Sequence, residues 1–267
     1  MYLGDATWPE AGTALADCSL ALVPLGSTEQ HGPHLPLATD HLIAEALARA
    51  AADRADVVCT PTVTVGVSPH HRQFHGTMSV DPPAFRDYVE SMSRSLVDQG
   101  IDRIVFVNAH GGNVEHLREV GRRLHGDGAA YAVEWMWNES IPELVDDLFE
   151  RNGPHAGPKE TAMVWHIADA VREGKLEAAR EGGLVDLADA PTERNGARLF
   201  YDAVENSDNG AFGDPTDASA EKGRRLFEAA TEQLVELCDW LREQPFEAFA
   251  PREHVREREG RESDRSK

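Results

Sequence analysis

The sequence is poor in lysine, in cysteine and in long apolar runs. Only four of its 267 residues are lysine, against 47 aspartate and glutamate residues, and the formal net charge is −21. Cys18, Cys59 and Cys238 form no disulfide or metal-binding pattern, which fits a reducing cytoplasm. No stretch approaches the roughly 20 apolar residues that a membrane helix needs. The N-terminus also lacks the basic and apolar segments of a signal peptide, so we expect a cytoplasmic protein.

The acidic balance narrows the range of partners. A strongly acidic surface repels nucleic acid and anionic membranes, so we expect neither as a partner. Such a surface also keeps a protein soluble in concentrated salt, where ions screen the self-repulsion. We therefore expect a halophilic source, and an acidic mesophilic protein is the alternative.

Apolar strand-like runs alternate with helical patterns along the chain. The predicted strands cover residues 20–25, 57–65, 104–107 and 129–134. The predicted helices begin at the N-cap Thr39, at Asp81 and near Asn113, and a final helix covers 218–241. This βαβ alternation predicts an α/β fold, a three-layer α/β/α sandwich with a mainly parallel central sheet.

The length and the 41% hydrophobic content suffice for one large domain, which we place at residues 1–250. Residues 171–196 show little apolar periodicity and are interpreted as a surface excursion. Residues 251–267 are polar, and we expect a disordered tail.

Carboxylates and an imidazole follow the first predicted strand. Glu29, His31 and Asp40 lie within twelve residues, where that strand ends. In an extended segment Glu29 and His31 point the same way, and the two oxygens of Asp40 can bridge two cations. Taken singly, each residue has a structural alternative: a surface carboxylate, a loop histidine and a first-turn helix charge.

His110 follows the third predicted strand and precedes Gly111, Gly112 and Asn113. The carboxyl ends of parallel strands share one edge of a sheet, so this loop and the Glu29 loop are expected to meet there. The combined ligand types suit Zn²⁺, Fe²⁺ and Mn²⁺. The glycine loop also offers backbone N–H groups that suit an anion, with His110 incidental, and the two interpretations can coexist. We expect Gly111, Gly112 and Asn113 to contact substrate.

Two further segments carry candidate residues. His155 is a candidate proton shuttle, because an imidazole titrates near neutrality. Glu160 is a candidate metal ligand or a carboxylate that orients the catalytic water, and its structural alternative is a charge at a helix start. The loop 66–77 holds three histidines, which we interpret as supports of the ligands or contacts to substrate, and we assign Ser68 and His75 to substrate binding.

Four strings in this order resemble the creatininase family of amidohydrolases. They are 26–37 (GSTEQHGPHLPL) with Thr39-Asp40, 108–113 (NAHGGN), 155–157 (HAG) with 160–161 (ET), and 213–215 (GDP) with 218–219 (AS) and 221–223 (EKG). The resemblance covers roughly residues 19–240, and its first string is highly specific. The family includes creatinine amidohydrolase, an archaeal formamidopyrimidine deformylase and a peptidase that matures mycofactocin.

The resemblance implies a three-layer fold, a hexamer and two divalent metals, which are Zn, Fe or Mn. It implies that Asp40 bridges the metals, with Glu29 and His110 on one and His31 on the other. A bridging hydroxide would attack the carbonyl carbon of a small amide, and His155 would transfer protons.

One position departs from creatinine amidohydrolase. That enzyme has a metal-binding glutamate two positions after the histidine that matches His110, where this chain has Gly112. The second metal would then depend on Glu160 or be held more weakly. We therefore expect hydrolysis of a non-peptide or cyclic C–N amide bond, with formamidopyrimidine deformylation as the first candidate. Creatinine hydrolysis, peptide hydrolysis and a non-catalytic phosphate- or nucleotide-binding module are the alternatives.

Overall fold

The computed structural model describes residues 1–183 and 193–252. Its helices are α1 (Trp8–Ala16), α2 (Thr39–Ala55), α3 (Pro82–Val97), α4 (Val114–Gly126), α5 (Pro142–Leu148), α6 (Pro158–Ile167), α7 (Leu176–Gly183), α8 (Ala203–Asn206) and α9 (Ala220–Glu243). Its strands are β1 (Leu20–Leu25), β2 (Val58–Cys59), β3 (Arg103–Asn108), β4 (Tyr131–Met136), β5 (Glu193–Arg194) and β6 (Ala197–Arg198). Short 3₁₀ turns at Pro69–His71 and Gly111–Asn113 belong to the loops that carry candidate site residues.

The main sheet has four parallel strands in the order β2-β1-β3-β4. Leu25 at the end of β1 pairs with Asn108 at the end of β3, and Asn108 pairs with Met136 of β4. The carboxyl ends of the three longer strands are therefore level, and the loops that follow them begin at one edge. β5 and β6 form a separate antiparallel pair.

Two hydrophobic cores lie on opposite faces of the sheet. Alternate residues of β1 and β3 enter one core, together with α2, α6 and α9, which pack against one another. The intervening strand residues enter the other core, where they meet the apolar faces of α3 and α4. Because strand side chains alternate between faces, a strand buried along its whole length needs a helical layer on each side. The predicted three-layer α/β/α sandwich is confirmed.

Several predicted element bounds differ from the structure. β2 covers two residues instead of 57–65, because Pro61 has no N–H to donate to a neighbouring strand. Val63 beyond it still makes an isolated bridge with Leu25. β4 begins and ends two residues later than predicted. Thr39 was expected to cap α2, but it is the first helical residue, and its hydroxyl donates to Pro36 O.

The C-terminal half contains more helix than the sequence pattern indicated. Helix α7 lies inside the predicted surface excursion 171–196, of which residues 184–192 are outside the described chain. The final helix begins two residues late, because the Ser219 side chain accepts from Lys222 N and caps it. Only residues 251 and 252 of the predicted tail are described, and the domain bounds stay a prediction. Within the described ranges, no helix combines the length and hydrophobicity needed to cross a bilayer.

Candidate metal centre

The site is built on the loops after β1 and β3. Gly26 starts the first loop, and a Cβ there would lie 2.3 Å from His41 N, so this close approach to α2 requires glycine. The loop continues through Glu29 and His31, and α2 then begins at Thr39 beside it. The loop after β3 carries His110. The predicted meeting of these two loops at one sheet edge is what the structure shows.

Four predicted ligands converge in the interior. His31 Nε2 lies 3.0 Å from Asp40 Oδ1, and His110 Nδ1 lies 3.1 Å from Asp40 Oδ2. His110 Nδ1 is also 3.4 Å from Glu29 Oε1. All four residues are buried, with exposures between 1% and 4%. Asp40 thus stands between the two imidazoles, with one oxygen toward each.

His155 and Glu160 complete the inner end of the site. Glu160 lies in the first turn of α6, and its Oε2 accepts a 2.5 Å hydrogen bond from Ala156 N. Ligand atoms of His31, His155 and Glu160 lie within 4.8 Å of one another. His155 Nδ1 is also 3.8 Å from Glu29 Oε1. His155 therefore lies beside the predicted ligands His31 and Glu29, and Glu160 lies beside His31.

The loop 66–77 contributes different residues from those predicted. His70 and His71 line the cavity, whereas His75 is exposed and does not reach it. Ser68 lies behind His110, where its hydroxyl is 3.2 Å from His110 Nε2. The sequence offers three histidines here, and no signal in it separates His71 from His75.

Asn113 joins loops instead of facing the cavity. Its Nδ2 donates to Gly26 O, and its Oδ1 accepts from Val67 N, each at 3.0 Å. Gly111 and Gly112 do line the cavity. A Cβ on Gly112 would lie 2.1 Å from Val67 O, so no glutamate fits where creatinine amidohydrolase was expected to have one. The missing carboxylate is thus excluded by packing as well as by sequence.

Hydrogen bonds orient three imidazoles toward the centre. His31 Nδ1 lies 3.2 Å from Glu29 O, and His110 Nε2 lies 3.0 Å from Val67 O. A ring nitrogen beside a carbonyl must carry the hydrogen, so in the neutral imidazole that binds a metal the opposite nitrogen keeps its lone pair. His155 Nε2 lies 2.8 Å from Gln30 O in the same way. In each ring that opposite nitrogen faces the carboxylates, where it can bind a metal once it carries no hydrogen.

His71 has the opposite tautomer. The Gln30 carboxamide is fixed because its Oε1 accepts from Gly32 N and its Nε2 donates to Gly210 O. The second hydrogen of this Nε2 is directed to His71 Nδ1 at 2.7 Å. Gln30 Nε2 also lies 2.9 Å from His155 Nε2, but that ring nitrogen already donates to a carbonyl. His71 therefore carries its hydrogen on Nε2, which faces Glu29 Oε1 at 3.5 Å.

The electrostatics follow from buried carboxylates beside imidazoles. Burial alone would raise the pKa of Glu29, but the facing His110 lowers it well below its usual range. Burial opposes the charged form of His31, yet the carboxylate of Asp40, followed by that of Glu160, raises its pKa to about 9. Burial, reinforced by the charge of His31, lowers the pKa of His155 well below its ordinary value. The carboxylates around His31 therefore favour positive charge at that position, whereas His155 stays neutral.

The donor set fits a divalent cation. Glu29 Oε2 is buried and makes no hydrogen bond within the described structure. His31 Nε2 and Asp40 Oδ2 are also buried and lie near an opposite charge, but not in hydrogen-bonding geometry. Leaving buried polar atoms without a partner is costly. One group that brings together ligand atoms within 4.8 Å of one another is Glu29, His31 and Asp40. Mixed carboxylate and imidazole ligands are typical of hydrolytic metal sites.

The site opens into a cavity of about 340 Å³. Its lining residues are Glu29, Asp40, His70, His71, Ala109, His110, Gly111, Gly112, Pro154, His155, Glu160, Tyr201, Ala203, Asn206 and Phe212. Sequence reasoning missed Tyr201, Asn206 and Phe212, because no motif marks them and they approach the site only through the fold.

Comparisons with known proteins agree with this geometry. The family described as creatininase, creatinine amidohydrolase, matches residues 4–238. A mycofactocin precursor peptide peptidase of Mycobacterium ulcerans is 36% identical over 240 residues, which are 86% of this chain and 84% of the relative. A 2-amino-5-formylamino-6-ribosylaminopyrimidin-4(3H)-one 5′-monophosphate deformylase of Methanothermus fervidus is 31% identical over 180 residues, 64% of this chain and 67% of the relative.

A solved structure supports the same assignment. The manganese form of creatininase superimposes with a TM-score of 0.69 at 25% identity, covering 94% of this chain and 99% of the other. The family match spans far more than half of the chain, and the candidate ligands lie together at the sheet edge. The chain therefore belongs to the creatininase family and is a metal-dependent amidohydrolase that acts on C–N bonds.

Proposed function

We propose that the protein hydrolyses a peptide amide at a centre of two divalent metals. Glu29 and His110 would hold one ion, His31 and Glu160 the other, and Asp40 both. The observation that carries this proposal is the buried convergence of the two Asp40 oxygens on His31 and His110, at 3.0 and 3.1 Å. When bound, such metals lower the pKa of water and polarise a carbonyl group.

The remaining cavity residues supply orientation and proton transfer. His155 is held by Gln30 O through Nε2, and its Nδ1 lies beside Glu29. We assign His155 to moving a proton to the departing nitrogen. His71 lines the cavity, and its Nε2–H, fixed by Gln30, lies 3.5 Å from Glu29 Oε1. It is placed to donate a hydrogen bond to the carbonyl oxygen as negative charge develops there.

The cavity wall favours an uncharged amide over a phosphorylated substrate. None of the described residues that line it is lysine or arginine, the side chains that usually pair with phosphate. The 36% identity to a peptide peptidase over most of both chains supports the same choice. We therefore rank peptide hydrolysis first and retain deformylation as the second candidate. Gly111 and Gly112, which line the cavity before α4, favour the latter because such N-termini suit phosphate.

Elemental analysis and a product assay test this proposal. We expect about two metals per chain after loading with Zn²⁺, Mn²⁺ or Fe²⁺. Mass spectrometry of mixtures that contain short peptides, creatinine or a formamidopyrimidine nucleotide then identifies the product. Formate release from the nucleotide without peptide cleavage would select the deformylase. Ligand binding without any metal would support the non-catalytic module instead.

Five finer expectations stay predictions. They are the identity of the metal, a halophilic source, a homo-oligomer, a cytoplasmic location and the absence of nucleic-acid or membrane partners. Size-exclusion chromatography with light scattering tests the oligomer, for which the sequence resemblance implies a hexamer.

A further inference from the structure

A second cavity continues outward from the metal centre. It has a volume of about 590 Å³, and it shares His70, Tyr201 and Asn206 with the first cavity. The two cavities therefore meet at these three side chains and form one cleft. The reacting amide group alone would occupy only the inner part, so the outer part indicates a substrate that extends beyond its reacting bond.

The junction contains a buried acceptor that lacks a donor. Asn206 Oδ1 is buried, and no group within residues 1–183 and 193–252 donates a hydrogen bond to it. A buried oxygen without a donor costs about 1–3 kcal/mol, so a ligand that supplies an N–H or O–H group would be favoured here. Asn206 lines both cavities, so a turn of its carboxamide about χ2 would bring the buried Oδ1 to the path between them.

Hydrogen bonds hold the wall of the outer cavity in place, and the guanidinium group of Arg72 in this wall is already paired with a carboxylate. Arg72 binds the Asp202 carboxylate through both terminal nitrogens, at 2.8 and 2.5 Å. Gln73 Nε2 donates to the same carboxylate at 2.5 Å. These bonds fasten residues 199–206 to the loop 66–77. Because Arg72 is engaged by Asp202, it is poorly placed to bind the phosphate of a nucleotide.

An aromatic side chain adds apolar surface to the outer cavity. Phe200 lines it with 92% of its surface exposed, and Tyr201 lies next to it at the junction. An exposed phenyl ring beside a buried amide acceptor suits a chain that combines backbone N–H groups with apolar side chains. A peptide has both features, with N–H groups at regular intervals.

We propose that the outer cavity is a subsite for an extended peptide. A backbone N–H of this peptide donates to Asn206 Oδ1, and an apolar side chain packs on Phe200, while the scissile amide lies at the metal centre. This inference rests on the proposed function and extends it from the reacting bond to the recognition of the rest of the substrate.

Hydroxamates test the subsite on the metal-loaded protein. Isothermal titration calorimetry would compare acetohydroxamic acid with N-acetyl-Phe-Gly-hydroxamate and with a reverse hydroxamate that carries a Gly-Phe-amide tail on the amine side. We expect at least one tail to lower Kd about 30-fold or more. Methylating one tail nitrogen at a time should raise Kd roughly tenfold at a single position, the loss of one hydrogen bond.

Variants then locate the contact. In Asn206→Ala the sensitive N-methyl position should lose its effect, so that methylated and unmethylated tails bind alike. Val204→Ala, on the exposed side of α8, is the matched control and should keep the tenfold difference. The N-methyl comparison in the wild-type protein requires no variant, so a folding defect in Asn206→Ala leaves the test intact.

The outcomes separate two kinds of failure. If acetohydroxamic acid binds but neither tail improves Kd, the subsite proposal is overturned and the metal centre stands. If the tails improve Kd without sensitivity to N-methylation, the Asn206 contact and hence the proposal are wrong. If acetohydroxamic acid fails to bind the metal-loaded protein, the proposed function and the inference that depends on it are both contradicted.

Discussion

The cleft has an inner and an outer wall that are built in different ways. We call Glu29, His31, Asp40, His110 and Glu160 the inner wall. The outer wall is the set of residues from the segment 199–206 that line the outer cavity, which are Leu199, Phe200, Tyr201, Asp202, Glu205 and Asn206. The inner residues are buried and follow strands or begin helices, whereas Phe200 in the outer wall is 92% exposed. Reactive groups are positioned best on rigid elements, and recognition is commonly carried by surface segments. The contrast therefore separates the chemistry from the selection of the substrate.

Removing Asp40 should produce the largest effect, because both of its oxygens face imidazoles of the inner wall. We expect Asp40→Ala to lose both metals, as measured by elemental analysis, and to lower kcat by about 1000-fold or more. Asp146→Ala, which removes an exposed carboxylate from α5, is the matched control. Retention of wild-type metal content by Asp40→Ala would contradict the assignment of Asp40 as a shared ligand.

His71 lies beside the inner wall and tests whether the cavity also contains a catalytic residue that does not bind metal. Its Nδ1 accepts from Gln30, so it presents a hydrogen to the cavity instead of a lone pair. We expect His71→Phe to lower kcat about 100-fold, the usual effect of losing one oxyanion donor, and to keep the wild-type metal content.

His75→Phe makes the same substitution in the same loop at an exposed position. We expect its kcat to match the wild type. The reverse pattern, with a low kcat in His75→Phe alone, would favour the assignment made from the sequence. Loss of one metal in His71→Phe would show that His71 is a ligand and that its tautomer changes on metal binding.

The inner wall could be predicted from the sequence because its residues follow recognisable strands. Leu20–Leu25 and the run that ends at Asn108 are apolar throughout, and parallel strands place their following loops at one edge. Glu29 and His110 were therefore expected to meet, although 81 positions separate them in the chain.

The outer wall could not be predicted in this way. The Arg72–Asp202 pair joins residues 130 positions apart, and neither residue belongs to a periodic element that fixes its neighbours. Asn206 lies in a helix of four residues inside a polar stretch. His75 was preferred over His71 because the direction of a loop side chain depends on contacts such as the one with Gln30, which sequence spacing does not reveal.

His34 tests how far the inner wall depends on a buried neutral group behind it. His34 Nε2 donates to Thr161 Oγ1 at 2.9 Å, since that hydroxyl itself donates to Gly157 O. Burial, followed by the charge of His31, lowers the pKa of His34 to about 4. Between about pH 6.5 and pH 4 the unfolded chain binds a proton that the folded chain does not. Stability should therefore fall as the pH falls through this range.

Urea unfolding of the metal-free protein at pH 7.5 and pH 5 measures this effect. At pH 5 the titration of His34 should lower the free energy of unfolding by roughly 2 kcal/mol relative to pH 7.5. His34→Gln keeps a donor for Thr161 and cannot titrate. The free energy of unfolding of this variant should therefore fall less between pH 7.5 and pH 5 than that of the wild type, by the same amount. Equal losses in the two proteins would show that His34 does not contribute to the acid sensitivity.

The ion pair of the outer wall should give the smallest effect on stability. Arg72 is 61% exposed at the side chain and Asp202 is 21% exposed, so a double-mutant cycle with Arg72→Ala and Asp202→Ala should give a coupling free energy below about 1 kcal/mol. Both variants should keep their metal and raise KM for a peptide a few-fold with kcat unchanged, because only the fastening of residues 199–206 is weakened. A large drop in kcat would mean that the outer wall also positions the reacting groups. The division between a wall for chemistry and a wall for recognition would then fail.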